Sequence, residues 1–346
     1  MPSKWSPPRG NMPTDTTVRV ATRGSKLALA QTRRVIGWLA KLWPDLTFAE
    51  TVIKTTGDRV RDVALSQVGG KGLFTKELEE ALLAGSADLA VHSAKDLPTE
   101  LAGGGGGLLI ACYPERADPR DVLVLSQGLS AASGEGVEAL PQGAQVGTSS
   151  LRRQAQLRHT RPDLRFVDLR GNLDTRLRKL EEQGLDAIVL AAAGLNRLGV
   201  SDLEVRHLPV EVCVPAVGQG ALALEAREAD DRVLDLLRPL DRREVRLTVT
   251  AERACLRDLE GGCQVPIGAH AWLEGSQVAM QGVVASLDGR RLVRACVQGS
   301  MKEPRAVGQR LAAELLSAGG DEILSQTRKA SAGMAPDADP AGPAAD

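Results

Sequence analysis

The sequence predicts an α/β fold with mainly parallel sheets and a smaller α+β domain at the C-terminal end. Short β-prone segments alternate with longer segments whose apolar residues have helical spacing, and this alternation occurs twice along the chain. In addition, 346 residues are enough for two or three domains. A content of 43% AVILMFWYC and 25% charged residues is typical of a globular chain.

The first alternation begins with a short strand and a polar turn, Thr22–Ser25, which contains an N-cap candidate for the next helix. Gly85 is expected to end a later helix as its C′ residue. The predicted elements are a strand at Val18–Ala21, a helix at Leu27–Leu42, a strand at Thr47–Thr55, a turn at Thr56–Asp58, a helix at Phe74–Leu83 and a strand at Leu89–Val91.

The second alternation repeats this rhythm and is followed by a third, smaller unit. Its predicted elements are a helix from Leu151, a strand at Leu164–Leu169, a helix at Asn172–Glu182 and a strand at Ala187–Ala191. In the third unit we expect a helix at Thr248–Leu259 and hairpin-like strands at Gln277–Ser286 and Arg290–Gln298.

Two segments are predicted to cross between domains, Tyr113–Pro119 and Val214–Gly220. We therefore expect an N-terminal lobe of residues 15–113 and 218–240, a second lobe of residues 117–214, and a C-terminal domain of residues 243–330. Residues 1–14 and 331–346 are predicted to be disordered tails. Gly103–Gly107 and Ser126–Gly136 are predicted to be solvent loops.

The composition argues against several classes of function. A net charge of -1 offers no general basic field, and 2% aromatic residues leave few platforms for base stacking, so nucleic acid is not an expected partner. No apolar run approaches the roughly 20 residues of a membrane helix, and the start lacks a secretory apolar region, so we expect a soluble, cytoplasmic protein. The five cysteines form no C-x-x-C pair, which supports neither disulfides nor a metal site.

Arginine is strongly preferred over lysine, at 33 of the 43 basic residues. Its planar fork matches carboxylates, and six arginines follow predicted strand ends, where open α/β sheets bind ligands: Arg23, Arg152, Arg153, Arg170, Arg176 and Arg197. Thr148–Arg153 adds three hydroxyls and a helix N-terminus, which favours an anion site. The alternative is that these arginines are ordinary surface charges.

A dense polar cluster, His92–Pro98, follows the strand at Leu89–Val91. Asp96 could stabilise a developing cation or relay a proton, while Ser93 and Lys95 bind an anionic group. The alternative is a capped turn with a structural ion pair between Asp96 and Lys95. We expect His92 to bond to a backbone partner rather than to act as a base.

The turn Gly261–Pro266 places a thiol, Cys263, after two glycines and just after a predicted helix. A lone cysteine is most often a small buried apolar residue. Here the glycines allow a bulky group to approach the sulfur, which favours a nucleophile or an attachment point.

From Val18 to about Thr327 the sequence resembles the porphobilinogen deaminase family, also called hydroxymethylbilane synthases. The resemblance is carried by seven motifs in the family's order: Ala21–Leu29, Gly69–Phe74, His92–Pro98, Gly147–Arg153, Arg170–Asn172, Val217–Gly220 and Glu260–Pro266. It implies two lobes like those of periplasmic binding proteins and a C-terminal domain that carries the cofactor. One difference is Gln67, where relatives often have lysine, and this removes one possible cation.

The resemblance also implies roles for individual residues. Cys263 would hold a dipyrromethane cofactor through a thioether, and Asp96 would be the catalytic carboxylate. The cofactor's carboxylates would be bound by Ser25, Lys95, Ser150, Arg152 and Arg153. Those of the substrate would be bound by Arg23, Lys71, Ser93, Arg170, Arg176 and Arg197.

The implied activity is that of a transferase of haem biosynthesis. A monomeric enzyme would join four porphobilinogen units, with loss of ammonia, into the linear tetrapyrrole hydroxymethylbilane. Two other classes stay open on the residues alone. One is a two-lobed binding protein for a small dicarboxylate, which would have no need of Cys263. The other is a phosphate-using transferase, which the lack of a G-x-x-x-x-G-K-[ST] motif disfavours.

Overall fold

A computed structural model of the chain describes residues 16–59, 72, 74–99, 106–129, 134–259 and 265–332. Its first elements are β1 (Thr17–Arg23), α1 (Lys26–Leu42), β2 (Thr47–Ile53), α2 (Thr56–Arg59), α3 (Lys76–Leu83), β3 (Leu89–Ser93) and β4 (Leu108–Cys112). These are followed by β5 (Asp121–Leu125), β6 (Gln145–Gly147), α4 (Leu151–Thr160), β7 (Arg165–Val167), α5 (Leu173–Glu182), β8 (Ala187–Ala191), α6 (Ala192–Leu198) and β9 (Val205–His207).

The chain then forms β10 (Leu222–Arg227) and α7 (Asp231–Leu237). The remaining elements are α8 (Arg243–Asp258), β11 (Ile267–Glu274), β12 (Gln277–Ala285), β13 (Leu292–Ser300), α9 (Pro304–Leu315) and α10 (Asp321–Ala332). Among the helices of these ranges, none combines the length and the apolar character that a membrane span requires.

Two five-stranded sheets with the same design confirm the predicted α/β class. The sheet of the N-terminal lobe, which we call lobe 1, has the strand order β2-β1-β3-β10-β4. The sheet of the second lobe, which we call lobe 2, has the strand order β7-β6-β8-β5-β9. In each sheet the first three strands pair in parallel, and the fourth position is antiparallel to both neighbours. The antiparallel strand is β5 in lobe 2 and β10 in lobe 1. Each of them directly follows a crossing from the other lobe.

The third unit, the C-terminal domain, is a three-stranded antiparallel sheet in the order β11-β12-β13. Apolar residues of α8, α9 and α10 pack with this sheet in one core. Helices α8 and α9 approach closely because Gly308 has no side chain: a Cβ there would lie 2.0 Å from the carbonyl oxygen of Ala251.

Helix α1 forms where its spacing predicts it. The side chain of Ser25 accepts a hydrogen bond from the backbone N–H of Ala28, which satisfies one of the free donors of the first turn. The buried residues of the helix lie on one face, towards the sheet of lobe 1: Gln31, Thr32, Val35 and Leu39.

Several predicted elements need correction. Thr56–Asp58 is part of the short helix α2 rather than a turn, β2 ends at Ile53, and α8 begins five residues before Thr248. Strand β10 was not predicted, since Leu-Ala-Leu-Glu-Ala-Arg favours helix. Pairing with β3 and β4 in the centre of a sheet overrides that preference.

The ends of the chain and the predicted loops are only partly described. Helix α10 continues to Ala332, so the predicted C-terminal tail begins two residues too early. Residues 1–15 and 333–346 lie outside the described ranges. Of the predicted loops, residues 103–105 and 130–133 also lie outside them, and Gln127–Leu129 forms a single 3-10 turn.

The two crossings between the lobes, residues 113–120 and 208–221, lie against each other. Gly220 has a φ of +86°, and a Cβ there would lie 2.4 Å from the carbonyl oxygen of Ala117. The backbone N–H of Ala117 donates to the carbonyl of Gly220 at 3.0 Å. The crossings therefore form one paired connection between the lobes, which we call the hinge.

Candidate active site in the cleft between the lobes

The turn that carries Asp96 follows directly from β3. Ala94–Asp96 forms one turn of 3-10 helix, and the backbone N–H of Ala94 donates to the carbonyl of Ala221 in the second crossing. Gly218 lies against this turn with a φ of +71°, and a Cβ there would be 3.0 Å from Ala94. Lys95 and Asp96 are therefore exposed residues on a turn that the hinge supports.

Four of the predicted site residues line one pocket on lobe 1, which we name the lobe 1 pocket. It is lined by Arg23, Ser25, Leu27, Ala28, Gln31, Phe74, Thr75, Val91, His92, Ser93 and Asp96. The guanidinium of Arg23 lies over the ring of Phe74, 4.1 Å from its centroid. The structure therefore brings Arg23, Ser25, Ser93 and Asp96 together as expected.

Two residues of this pocket were missed by the sequence reasoning. Gln31 donates from Nε2 to the Ser93 hydroxyl at 3.0 Å, and Phe74 supports Arg23. A signal for Gln31 was available, because it is a polar residue on the apolar face of α1, four residues before Val35. For Phe74, the sequence predicted only the start of a helix and the last position of the motif Gly69–Phe74.

On lobe 2, two of the three hydroxyl groups just before α4 make hydrogen bonds within the lobe. The Thr148 hydroxyl accepts from the backbone N–H of Ser150, and the Ser149 hydroxyl donates to the carbonyl of Leu169. Ser150 is the N-cap residue of α4, and its side chain makes no capping bond. Of the three hydroxyl groups, that of Ser150 is therefore the one without a hydrogen bond to the described residues.

Arg152 and Arg153 are both buried and share one carboxylate, Asp121, which the sequence reasoning did not identify. Nη1 of Arg152 donates to Asp121 Oδ2 at 2.7 Å, while its Nε and Nη2 make no hydrogen bond to the residues that the structure describes. All three nitrogens of Arg153 donate to protein acceptors, Asp121 and the carbonyl of Val189. Burial would raise the pKa of Asp121, but the two guanidinium groups hold it far below its usual range.

The charges of the two lobes meet around Lys95 and Asp96. Solvent reaches Lys95, yet the surrounding protein desolvates its ammonium group and lowers its pKa to about 8. Arg153 and Arg152 act in the same direction, and Asp96 and Asp121 oppose them. Since Lys95 belongs to lobe 1 and the two arginines to lobe 2, the charges of the two lobes act on each other here.

Arg176 belongs to the same group. Desolvation lowers its pKa to about 10; Arg153 acts in the same direction, and Asp96 and Asp168 act against it. Asp168 also accepts from Arg170 Nε at 2.8 Å and was not predicted as a site residue. Cations from lobe 2 therefore lie within electrostatic range of the carboxylate of lobe 1.

Arg197 bonds to the hinge. Its Nη2 donates to the carbonyl of Gly220 at 2.6 Å and lies 3.8 Å from Glu115 Oε1. Desolvation lowers its pKa to about 10, with Glu115 opposing the shift and Arg34 adding to it. Its buried Nε has no partner among the described residues.

His92 has a side-chain partner, which corrects the expectation of a backbone one. Its Nε2 lies 2.9 Å from Glu225 Oε2, and both side chains are buried between β3 and β10. A fully buried carboxylate requires such a partner.

Three residues of interest lie outside the described ranges: Cys263, Lys71 and Gln67. The segment 260–264, which contains Cys263, directly follows α8 and the turn residue Leu259. On α8, Arg253 donates to the carbonyls of Pro98 and Thr99, just after Asp96. The helix that leads to Cys263 is thus bonded to the segment that follows Asp96.

Comparison with known proteins identifies the family. Residues 18–235 match the family model for porphobilinogen deaminase, dipyromethane cofactor binding domain, and residues 246–317 match that for its C-terminal domain. The chain belongs to the porphobilinogen deaminase family. The porphobilinogen deaminase of Pelotomaculum thermopropionicum is 52% identical over 90% of this chain and 97% of its own length. That of Syntrophotalea carbinolica is 51% identical over 89% and 95%. That of Roseiflexus castenholzii is 52% identical over 89% and 99%.

Members of the porphobilinogen deaminase family use a dipyrromethane cofactor, and the described residues fit a group with several carboxylates. Lys95, Arg152 and Arg176 place positive charge around one cleft. Arg152 also keeps two nitrogens without a hydrogen bond to described residues. Such a donor set matches carboxylate side chains.

Proposed function

We propose that this chain joins four porphobilinogen units, with release of ammonia at each addition, into the linear tetrapyrrole hydroxymethylbilane. Membership in the porphobilinogen deaminase family supports this reaction. One observation relates it to particular residues: Asp96 lines the lobe 1 pocket, and its charge also acts on Arg176 of lobe 2. The carboxylate is therefore available to a substrate that both lobes contact.

The dipyrromethane would be held by a thioether to Cys263 and by polar groups on both lobes: Ser25, Lys95, Ser150, Arg152 and Arg153. When bound, it supplies the carbon to which the first porphobilinogen unit is joined. Arg152 would contribute its two unused nitrogens. Arg153 donates every nitrogen to protein acceptors, so it would act through its charge.

Asp96 would accept hydrogen bonds from pyrrole N–H groups and stabilise the positive charge that develops on porphobilinogen as ammonia leaves. By analogy, removal of one preorganised hydrogen-bond donor to a transition-state oxyanion costs about 3 to 4 kcal/mol in a well-studied hydrolase. The contact of its turn with Gly218 and the backbone bond to Ala221 support this role for Asp96.

The growing product brings two carboxylates with each unit, eight in all, and these need cations along the cleft. We propose that the substrate and chain carboxylates are bound by Arg23, Lys71, Ser93, Arg170, Arg176 and Arg197. We further propose that the enzyme works as a cytoplasmic monomer without nucleic acid. A net charge of -1 and 2% aromatic residues support the last point.

Mass spectrometry of the recombinant protein tests the proposal. Wild type should carry the added mass of two pyrrole units on the peptide that contains Cys263, and should consume porphobilinogen. Cys263→Ser should lose both. The matched control is Cys296→Ser, which changes an exposed cysteine on β13 and should keep both. Full turnover by wild type without the added mass, or by Cys263→Ser, would refute the assignment.

A further inference from the structure

The hinge and the buried arginine pair meet at one carboxylate. We propose that Asp121 is a positioning residue that ties Arg152 and Arg153 to the two crossings, so that the placement of the pair depends on the angle between the lobes. The inference rests on the proposed function, because it assigns the pair to the binding of a carboxylate-rich chain. The inference adds a way in which movement of one lobe against the other would change the binding of that chain.

Asp121 directly follows the first crossing and bonds to both arginines of the pair. It is the first residue of β5, directly after residues 113–120, and it is fully buried. Its Oδ2 accepts from Arg152 Nη1 at 2.7 Å. Its Oδ1 accepts from Arg153 Nη2 at 2.7 Å and from Arg153 Nε at 3.0 Å. A bidentate contact of this kind fixes both the position and the plane of a guanidinium group.

The second crossing reaches the same carboxylate through Gln219. Its Nε2 donates to Asp121 Oδ1 at 2.9 Å and to the carbonyl of Pro119 at 2.7 Å. The amide of Gln219 therefore bonds both to Pro119 of the first crossing and to Asp121 Oδ1, the atom that also accepts from Arg153. Because Gln219 lies on the second crossing and Asp121 directly follows the first, a rotation of one crossing against the other changes this contact.

Helix α4 is bonded to the second crossing at a further point. Arg152 Nη1 donates to the carbonyl of Val214 at 2.5 Å, and Gln156 Oε1 accepts from the backbone N–H of Val214 at 2.7 Å. The first two turns of α4 are thus held by side-chain bonds to both crossings. Movement of the hinge must be accommodated by α4 or by the rotamers of these side chains.

The charge balance separates positioning from simple neutralisation. Two guanidinium groups share one carboxylate, so the cluster keeps a net positive charge beside Lys95. If Asp121 acted only as a competing anion, its removal would strengthen the attraction for a carboxylate-rich chain. If Asp121 positions the pair, its removal weakens binding although the charge becomes more positive.

A comparable carboxylate away from the cleft provides a control. Asp88 is buried on lobe 1, pairs with Arg19 at 2.8 Å and lies 3.4 Å from Arg227 Nη2. Like Asp121, this carboxylate is buried and lies beside two arginines, but Asp88 contacts neither crossing in the hydrogen bonds of the described residues. Asp88→Asn should therefore lower the melting temperature and leave KM and kcat of the folded enzyme unchanged.

The test combines kinetics with hydrogen exchange on the holoenzyme. Asp121→Asn should raise KM for porphobilinogen about tenfold, with a smaller change in kcat. Gln219→Met keeps the side-chain volume and the charge of the cluster, and should raise KM about threefold. Both variants should speed amide exchange in residues 151–156, measured by mass spectrometry without substrate, and Asp88→Asn should not.

The outcomes distinguish the inference from the function on which it rests. A KM that is unchanged or lower in both variants, with unchanged exchange in α4, overturns the role of Asp121. If Asp121→Asn does not fold, Gln219→Met decides, because it leaves the ion pairs intact. If wild type does not consume porphobilinogen, the proposed function fails, and the exchange measurement still decides whether Asp121 and Gln219 hold α4.

Discussion

The backbone N–H of Gly218 donates to Glu252 Oε2 at 2.7 Å, which binds the second crossing to helix α8 of the C-terminal domain. Oε1 of the same carboxylate accepts from Arg116 Nη1 of the first crossing at 2.7 Å and from the backbone N–H of Ala271 at 2.8 Å. One fully buried side chain therefore joins both crossings to the domain that contains Cys263. Gln219, the residue after Gly218, bonds to Asp121 at the start of β5 in lobe 2.

Glu252→Gln should destabilise the protein by about 3 to 5 kcal/mol, because it leaves the buried guanidinium of Arg116 without its counter-charge. Burial would raise the pKa of Glu252, but Arg116 and His270 outweigh it and lower the pKa to about 2. A lowered pKa in the folded state contributes stability above pH 4.5, and this stability is lost as the pH falls from about 4.5 towards 2. Urea unfolding at several pH values measures both effects.

The control for this prediction is Glu322→Gln, which removes an exposed carboxylate paired with Arg291 at 2.8 Å. Exposed pairs of this kind contribute at most about 1 kcal/mol. A free energy of unfolding that changes as little in Glu252→Gln as in the control would contradict the central role of Glu252.

Gly218→Ala should lower kcat about tenfold, since a displaced catalytic group costs rate even when the change is remote from the chemistry. The added Cβ would lie 3.0 Å from Ala94 and 3.2 Å from the backbone nitrogen of Lys95, on the turn that carries Asp96. Steady-state kinetics measures this. Gly275→Ala has a similar positive φ of +59° with open space around it, so it should affect stability alone. Equal kcat values in the two variants would argue against the support given by Gly218.

KM for porphobilinogen should rise as the pH increases through about 8. Desolvation lowers the pKa of Lys95 to about 8, so its ammonium loses its proton in this range, and a neutral amine no longer holds the carboxylate of the cofactor to which porphobilinogen is joined. Lys95→Arg keeps the charge throughout and should abolish the inflection, although its KM below pH 7 will differ from that of wild type. The same inflection in both proteins would show that another group titrates.

Asp96→Asn should slow turnover about a thousandfold, because the amide keeps the size of the side chain and removes its negative charge. The mass of the cofactor adduct on Cys263 should be retained. Single-turnover measurements separate this effect from a loss of substrate binding. Asp202→Asn, a change in an exposed loop, provides the comparison and should behave as wild type. Undiminished turnover in Asp96→Asn would eliminate the electrostatic role.

Local sequence patterns were sufficient for the class of fold and for the ends of several helices. The N-cap at Ser25, the helix of α4 and the C′ glycine at Gly85, which has a φ of +68°, were all predicted from neighbouring residues. Arg23, Ser93 and Asp96 were singled out because they follow strand ends, and they line one pocket because the carboxyl ends of neighbouring strands meet at one edge of a sheet. Ser25, which lines the same pocket, was assigned to the site only by the family resemblance.

Only the tertiary structure decided which buried ionisable side chains pair with each other. Asp121 and Arg152 are 31 residues apart, and His92 and Glu225 are 133 apart, so no local pattern contains either pair. The same holds for β10, whose residues favour helix until two neighbouring strands pair with it. A buried carboxylate must bond to whatever donor the topology brings beside it, and this cannot be inferred from short-range spacing.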